Sequence, residues 1–193
     1  MFQEWKTKFA LGANKFLPAR LAQRLARRED GAAAVEFALV AAPFLALLFA
    51  IIETSLIFFA GQTLETATAD ASRLVMTGQA QAQGFTMTEF KNAVCARIYA
   101  MFDCAGKIQI DVRTAVSFSS TNTSKPIKDG KLDTTGFGYQ PGGPNCIVVA
   151  RVMYEWPVYV SLLGLNLADL STGKRLLMAT AAFRNEPYGA PAC

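Results

Sequence analysis

The sequence predicts an α+β fold: a long N-terminal transmembrane helix, a second helix and a three-stranded antiparallel sheet. Three observations carry this. Sixteen residues from Phe37 to Ile52 run without a charge, helical periodicity occupies the stretches on either side of residue 84, and three later segments have strand character. At 193 residues the chain has room for about one domain beyond the apolar segment.

Charge is unevenly placed. Residues 1–30 hold seven bases (Lys6, Lys8, Lys15, Arg20, Arg24, Arg27, Arg28) against Glu4, Glu29 and Asp30, while residues 31–193 hold twelve of each sign. The whole net charge of +4 therefore lies in a basic leader. A folded part without a basic face of its own argues against nucleic-acid binding. There is no histidine, which excludes a Ser-His-Asp triad, a Cys-His dyad and any His-containing zinc site. Cys95, Cys104, Cys146 and Cys193 form no Cys-x-x-Cys pair, so redox and zinc-ribbon chemistry are not indicated. No cofactor or metal is expected.

The run FALVAAPFLALLFAII is interrupted by Glu53, and LIFFA follows at 56–60. As helix, sixteen residues cover about 24 Å, short of the roughly 30 Å hydrocarbon core; inclusion of residues 53–60 makes the span long enough. Bases before it and balanced charge after it place residues 1–30 in the cytoplasm and 61–193 outside. A signal peptide would have a shorter apolar core and a shorter basic region. A plain anchor leaves Glu36 and Glu53 unexplained, since a carboxylate at mid-bilayer costs on the order of 2.5–3.5 kcal/mol.

The stretch RREDGAAAVEFALVAAPF resembles a type IV prepilin junction: basic leader, Gly31, four small apolar residues, then Glu36-Phe37 opening a hydrophobic helix. The resemblance implies that a prepilin peptidase cuts after Gly31, leaving Ala32 as the mature N-terminus. It also implies that Glu36 pairs with a neighbouring subunit's ammonium, because a buried carboxylate needs a cation. Arg28 through Phe59, with Ala33-Val35-Glu36-Phe37, Pro43, Ile52-Glu53 and Phe58-Phe59, is similar to the TadE-like segment of tight-adherence (Tad) pilus proteins. Tyr154-Glu155-Trp156-Pro157 and Phe183-Arg184-Asn185-Glu186-Pro187 resemble closing motifs of that family. Membership implies a pilin-like pseudopilin of the bacterial inner membrane. Its N-terminus would be cytoplasmic and its C-terminal domain periplasmic. Its partners would be the prepilin peptidase, other pilin-like subunits and the inner-membrane assembly platform. Phe37 stands where the major Tad pilin carries tyrosine, which favours a minor subunit.

The organisation that follows is a leader at 1–31, a transmembrane helix at 32–60, a stem extension at 61–84 and an extracytoplasmic domain at 85–193. On the stem, Leu64, Ala67, Ala71, Leu74 and Gly78 recur at helical spacing, and GQAQAQG at 78–84 ends it. A second helix is expected over 87–102, with Thr86 and Glu89 as a capping box and Met87, Phe90, Val94, Ile98, Met101 and Phe102 on one face. In KIQIDVRTAVSF, Ile108 to Phe118 alternates as a half-buried strand. Residues 119–145 read as one long surface loop. Strands follow at 146–156 and 174–183, joined by the apolar connector VYVSLLGLNLADL. Asp111, Asp129 and Glu155 read as solvated positions.

Four cysteines allow three connectivities. Cys95 and Cys104 would be about 13.5 Å apart on a straight helix, whereas a disulfide needs Cα atoms within roughly 7 Å. Pairing them requires the helix to end first, with a turn at Asp103 and Gly106. The TadE-like resemblance includes two cysteines at about this spacing before the first strand, which implies Cys95–Cys104; Cys193 would then pair with Cys146.

The expected role is a minor pilin or pseudopilin of a Tad (Flp-type) pilus or related secretion apparatus, acting in assembly and adherence. The alternative is an anchored adhesin that is never cleaved or polymerised, for which Gly31 and Glu36 have no purpose. An exported enzyme has no local signature to support it.

Overall fold

The computed structural model describes residues 30–98, 102–104, 106–159, 166–189 and 193. The basic leader with its expected cytoplasmic placement, Met101, and residues 160–165 of the apolar connector lie outside the described residues. The chain divides into two compact units, Met1–Leu48 and Phe49–Cys193. Helix α1 spans Asp30–Met76 and belongs to both.

In the second unit α1 buries one stripe: Glu53, Ile57, Ala60, Leu64, Ala67, Ala71 and Val75. The spacing of three and four keeps these residues on one side of the helix. Ala60, Ala67 and Ala71 lie in one buried cluster with Val148, Val152 and Ala179 of the sheet. Leu64 is fully buried, and its removal from water is worth about 2 kcal/mol. The stripe ends in Gly78 at φ 79°, where a Cβ would meet the Tyr188 ring at 2.5 Å. Only glycine fits there, on conformational and steric grounds alike. A single turn, α2 (Gln79–Ala82), follows.

Helix α3 spans Met87–Ile98. Its start is capped as expected: the Thr86 N–H donates to the Glu89 carboxylate at 2.8 Å, and the Thr86 hydroxyl accepts from Thr88 N–H. Phe90, Val94 and Ile98 face the core, but Met87 in the first turn is exposed. Phe102 is buried beyond the helix, edge-on to Tyr154 at 4.9 Å.

Strands β1 (Ile108–Ala115), β4 (Ile147–Pro157) and β5 (Lys174–Arg184) form an antiparallel sheet in the order β1-β4-β5. β1 ends earlier than its alternation suggests. Val116 is 97% exposed, and Phe118 opens a 3-10 turn capped by reciprocal Ser117–Ser120 hydrogen bonds. Serine hydroxyls there offer the backbone an alternative to the ladder. One face of the sheet packs on α1 and α3; on the other, Met153, Leu170 and Leu176 form a second cluster with Ile127, Leu132 and Phe137. The 119–145 segment is thus no solvated excursion. It forms a hairpin, β2 (Ile127–Lys128) with β3 (Lys131–Leu132), turned by Asp129 and Gly130, both at positive φ. It then runs along β1, where Val112 N–H donates to Gly138 O and Gln140 N–H to Val112 O, each at 2.8 Å.

Two disulfides are present. Cys95–Cys104 has Cα atoms 6.0 Å apart, and Cys146–Cys193 has them 5.0 Å apart. The tail is also tied to the stem, because Glu186 N–H donates to Met76 O at 2.9 Å.

Candidate functional site

The first unit contributes the N-terminal part of α1. Gly31, Ala32, Glu36 and Phe37 occupy its first two turns, and Ala32 and Glu36 stand four residues apart on one side. Glu36 is exposed and Phe37 is 75% exposed. Leu39, Val40 and Phe44 are exposed as well. From Phe37 to Leu48 the helix is apolar on every side, and among the described residues nothing in its own unit covers it, which suits a lipid environment. Pro43 sits inside it, and its missing N–H leaves one carbonyl without its helical donor. α1 is long and apolar enough from Gly31 onward to cross a membrane, and its most apolar stretch is unburied.

Glu53, in the second unit, has different surroundings. It is 3% exposed and stands first in the buried stripe, one turn before Ile57. Its carboxylate accepts the main-chain N–H of Tyr159 at 3.2 Å, just beyond the end of β4. Among the described residues no cation pairs with it. Leu56, Phe58 and Phe59 remain exposed around it. The sequence marks Glu53 as an anomaly in an apolar run. It cannot mark the partner, because any residue but proline can present an N–H.

The second buried carboxylate corrects the sequence reading. Asp111 is 1% exposed, not solvated. Its Oδ2 accepts Arg151 Nη2 at 2.6 Å and Nε at 3.2 Å, while Oδ1 accepts Arg113 Nε at 2.7 Å and Gly138 N–H at 3.1 Å. Burial alone would raise its pKa, but these donors outweigh burial and hold it below the ordinary carboxylate value. Every lone pair that could act on a ligand is already engaged, so the group clamps the 136–140 segment to the sheet. Asp129 is exposed, and Glu155 is half-buried and accepts Lys174 Nζ at 2.9 Å. Tyr139, wedged against Phe90, is pushed up to about 12, chiefly by burial. Among the described residues no group of three or more acidic or cysteine side chains could hold a metal ion.

Compared with known families, residues 31–73 match the model described as TadE-like protein. The match covers Gly31, Ala32, Glu36, Phe37 and Glu53 and stops short of the two C-terminal motifs. The matched family is a structural component of pili, and the match spans 43 of the 193 residues. Neither the curated proteins nor the solved structures give a match.

Proposed function

We propose that the chain is a minor pilin or pseudopilin of a Tad (Flp-type) pilus or a related secretion apparatus. It is held in the bacterial inner membrane by the N-terminal part of α1, with the leader cytoplasmic and the sheet domain periplasmic. The observation that carries this reading is an apolar helix with exposed side chains, matched to the TadE-like family and bearing an acid at Glu36. In this reading a prepilin peptidase removes the leader between Gly31 and Ala32. The new Ala32 ammonium of one subunit then neutralises Glu36 of a neighbour as the helices gather at the assembly platform, which lowers the cost of a carboxylate in lipid. Glu53 acts at the outer end of the span, where it fixes the height of the sheet domain on α1. The subunit takes its place at the pilus tip or in the priming complex. Mass spectrometry of the membrane-fraction protein is expected to find Ala32 as the N-terminus. An intact Met1 terminus beside an active prepilin peptidase would sink this reading and favour an anchored adhesin.

A further inference from the structure

The two edges of the sheet are treated differently. On β1, the outward main-chain groups of Val112 are taken by Gly138 and Gln140. On β5, the register aims odd-numbered main-chain groups at β4 and even-numbered ones outward. The N–H groups of Asp169 and Leu170 donate to Lys174 O, and Leu176 N–H donates to the Asp169 carboxylate. Beyond that, among the described residues, nothing pairs with the outward groups of Met178, Thr180 and Ala182. From Leu176 to Phe183 there is no charge and no proline, the usual devices that blunt an open edge.

A cleft of about 350 Å³ runs beside this edge, between Ala69, Ser72, Arg73 and Met76 of α1 and Ala181 and Phe183 of β5. Ser72 is 3% exposed and its hydroxyl has no partner among the described residues, whereas Thr63 and Thr68 on the same helix donate to the carbonyl four residues back.

We propose that the free edge of β5 is a strand-addition site for an extended segment of a different polypeptide, uncharged along the edge and acidic only at the end that meets Arg73. Main-chain pairing supplies the recognition, and alternate side chains enter the cleft. The short alanine side chains leave room in the cleft for those groups, one of which can bond the Ser72 hydroxyl. The exposed Arg73 favours an acidic residue at that end of the segment.

A second copy is the wrong occupant, a step that rests on the membrane-anchored reading. Antiparallel pairing of β5 with its counterpart turns one stem end for end, so both copies could not sit in one bilayer in the same orientation. A two-fold axis along β5 sets N–H against N–H, since parallel strands bond only when opposed residues point opposite ways.

The test uses the purified full chain in detergent, with residue-resolved hydrogen exchange and the peptide acetyl-Thr-Val-Thr-Val-Thr-Val-amide as probe. Without peptide, the Thr180 and Ala182 amides should exchange fast and those of Ala179 and Ala181 slowly. With peptide, the even-numbered amides should slow by at least about tenfold. Thr180→Lys with Ala182→Lys, or N-methylation of alternate peptide residues, should abolish the effect, while Ala182→Thr keeps it. Unchanged protection of Ala150 and Val152 in β4 establishes that the lysine variant is folded. Slow exchange at Thr180 and Ala182 at every protein concentration, or peptide protection indifferent to the lysines, overturns the proposal. Protection that grows with protein concentration alone assigns the edge to a second copy and overturns it too. The readout uses neither leader cleavage nor pilus formation, so its failure and that of the assembly reading are distinguishable.

Discussion

The main-chain N–H of Tyr159 donates to the Glu53 carboxylate at 3.2 Å, joining positions 106 residues apart in sequence. The bond fastens the chain just after β4 to the helix at the start of its buried stripe. Glu53→Gln preserves an acceptor and is expected to leave domain stability unchanged. Glu53→Ala removes the acceptor and should cost about 1 kcal/mol. Denaturant unfolding of the full chain in detergent, followed by tryptophan fluorescence, separates the two; equal losses would mean that the charge itself is needed.

Glu36 is exposed at the other carboxylate position, so its replacement should not disturb the fold. Glu36→Ala is expected to insert and be processed normally yet fail to enter the assembled structure. Restoration of normal piliation by Glu36→Ala in a deletion strain would remove intersubunit pairing from the mechanism.

Asp111 gives the sheet domain an acid-sensitive clamp. The groups facing its carboxylate are Arg151, Arg113 and the Gly138 N–H. Its pKa is lowered from the ordinary 3.8 in the folded state. Its stabilising contribution is therefore complete above that value and disappears as pH falls below it, through the lower folded pKa. Asp111→Asn leaves Arg151 buried without its anion and should cost about 3 kcal/mol near neutral pH. A pH series of unfolding free energies should show the wild type converging on the variant below the ordinary aspartate value; parallel curves would contradict the assignment.

The Cys146–Cys193 bridge closes a separation of 47 residues, for which the chain-entropy model gives about 4 kcal/mol, against just under 3 for Cys95–Cys104. Cys193→Ser should accordingly lower stability more than the paired replacement of Cys95 and Cys104. Non-reducing peptide mapping of envelope protein should recover the 95–104 and 146–193 linked peptides; four free thiols would count against export.

Local pattern made much of the fold legible. Phe90, Val94 and Ile98 announce the core face of α3, and the stem stripe through Leu64, Ala67 and Ala71 is read from spacing alone. Asp111 was misread because its partner Arg151 lies 40 positions away, and alternation assigns a polar residue to solvent unless a buried counter-charge is known. The hairpin at 127–132 was present in Lys128-Asp129-Gly130-Lys131, a two-residue turn signal, but its flanking strands are only two residues each. Val116 and Phe118 kept the alternation going past the true end of β1, where serine capping took over. Within the site, Gly31, Glu36 and Glu53 stand out by type, whereas Tyr159 contributes only backbone and leaves no trace in the sequence.

The 119–145 segment carries unequal obligations along its length. Ser124 O lies by Arg151, Lys125 pairs with Asp169, Ile127 to Phe137 roof the far face of the sheet, and Gly138 and Gln140 guard the β1 edge. Asn122 and Thr123 are exposed and free of such duties, since Thr121 caps the 3-10 turn through its N–H and hydroxyl on Phe118 O. Natural length variation, or an inserted epitope, is tolerated where backbone is exposed and unpaired. In this polar stretch that place is two residues wide: an epitope grafted there would be displayed on an intact domain, while one grafted ten residues later would unroof it.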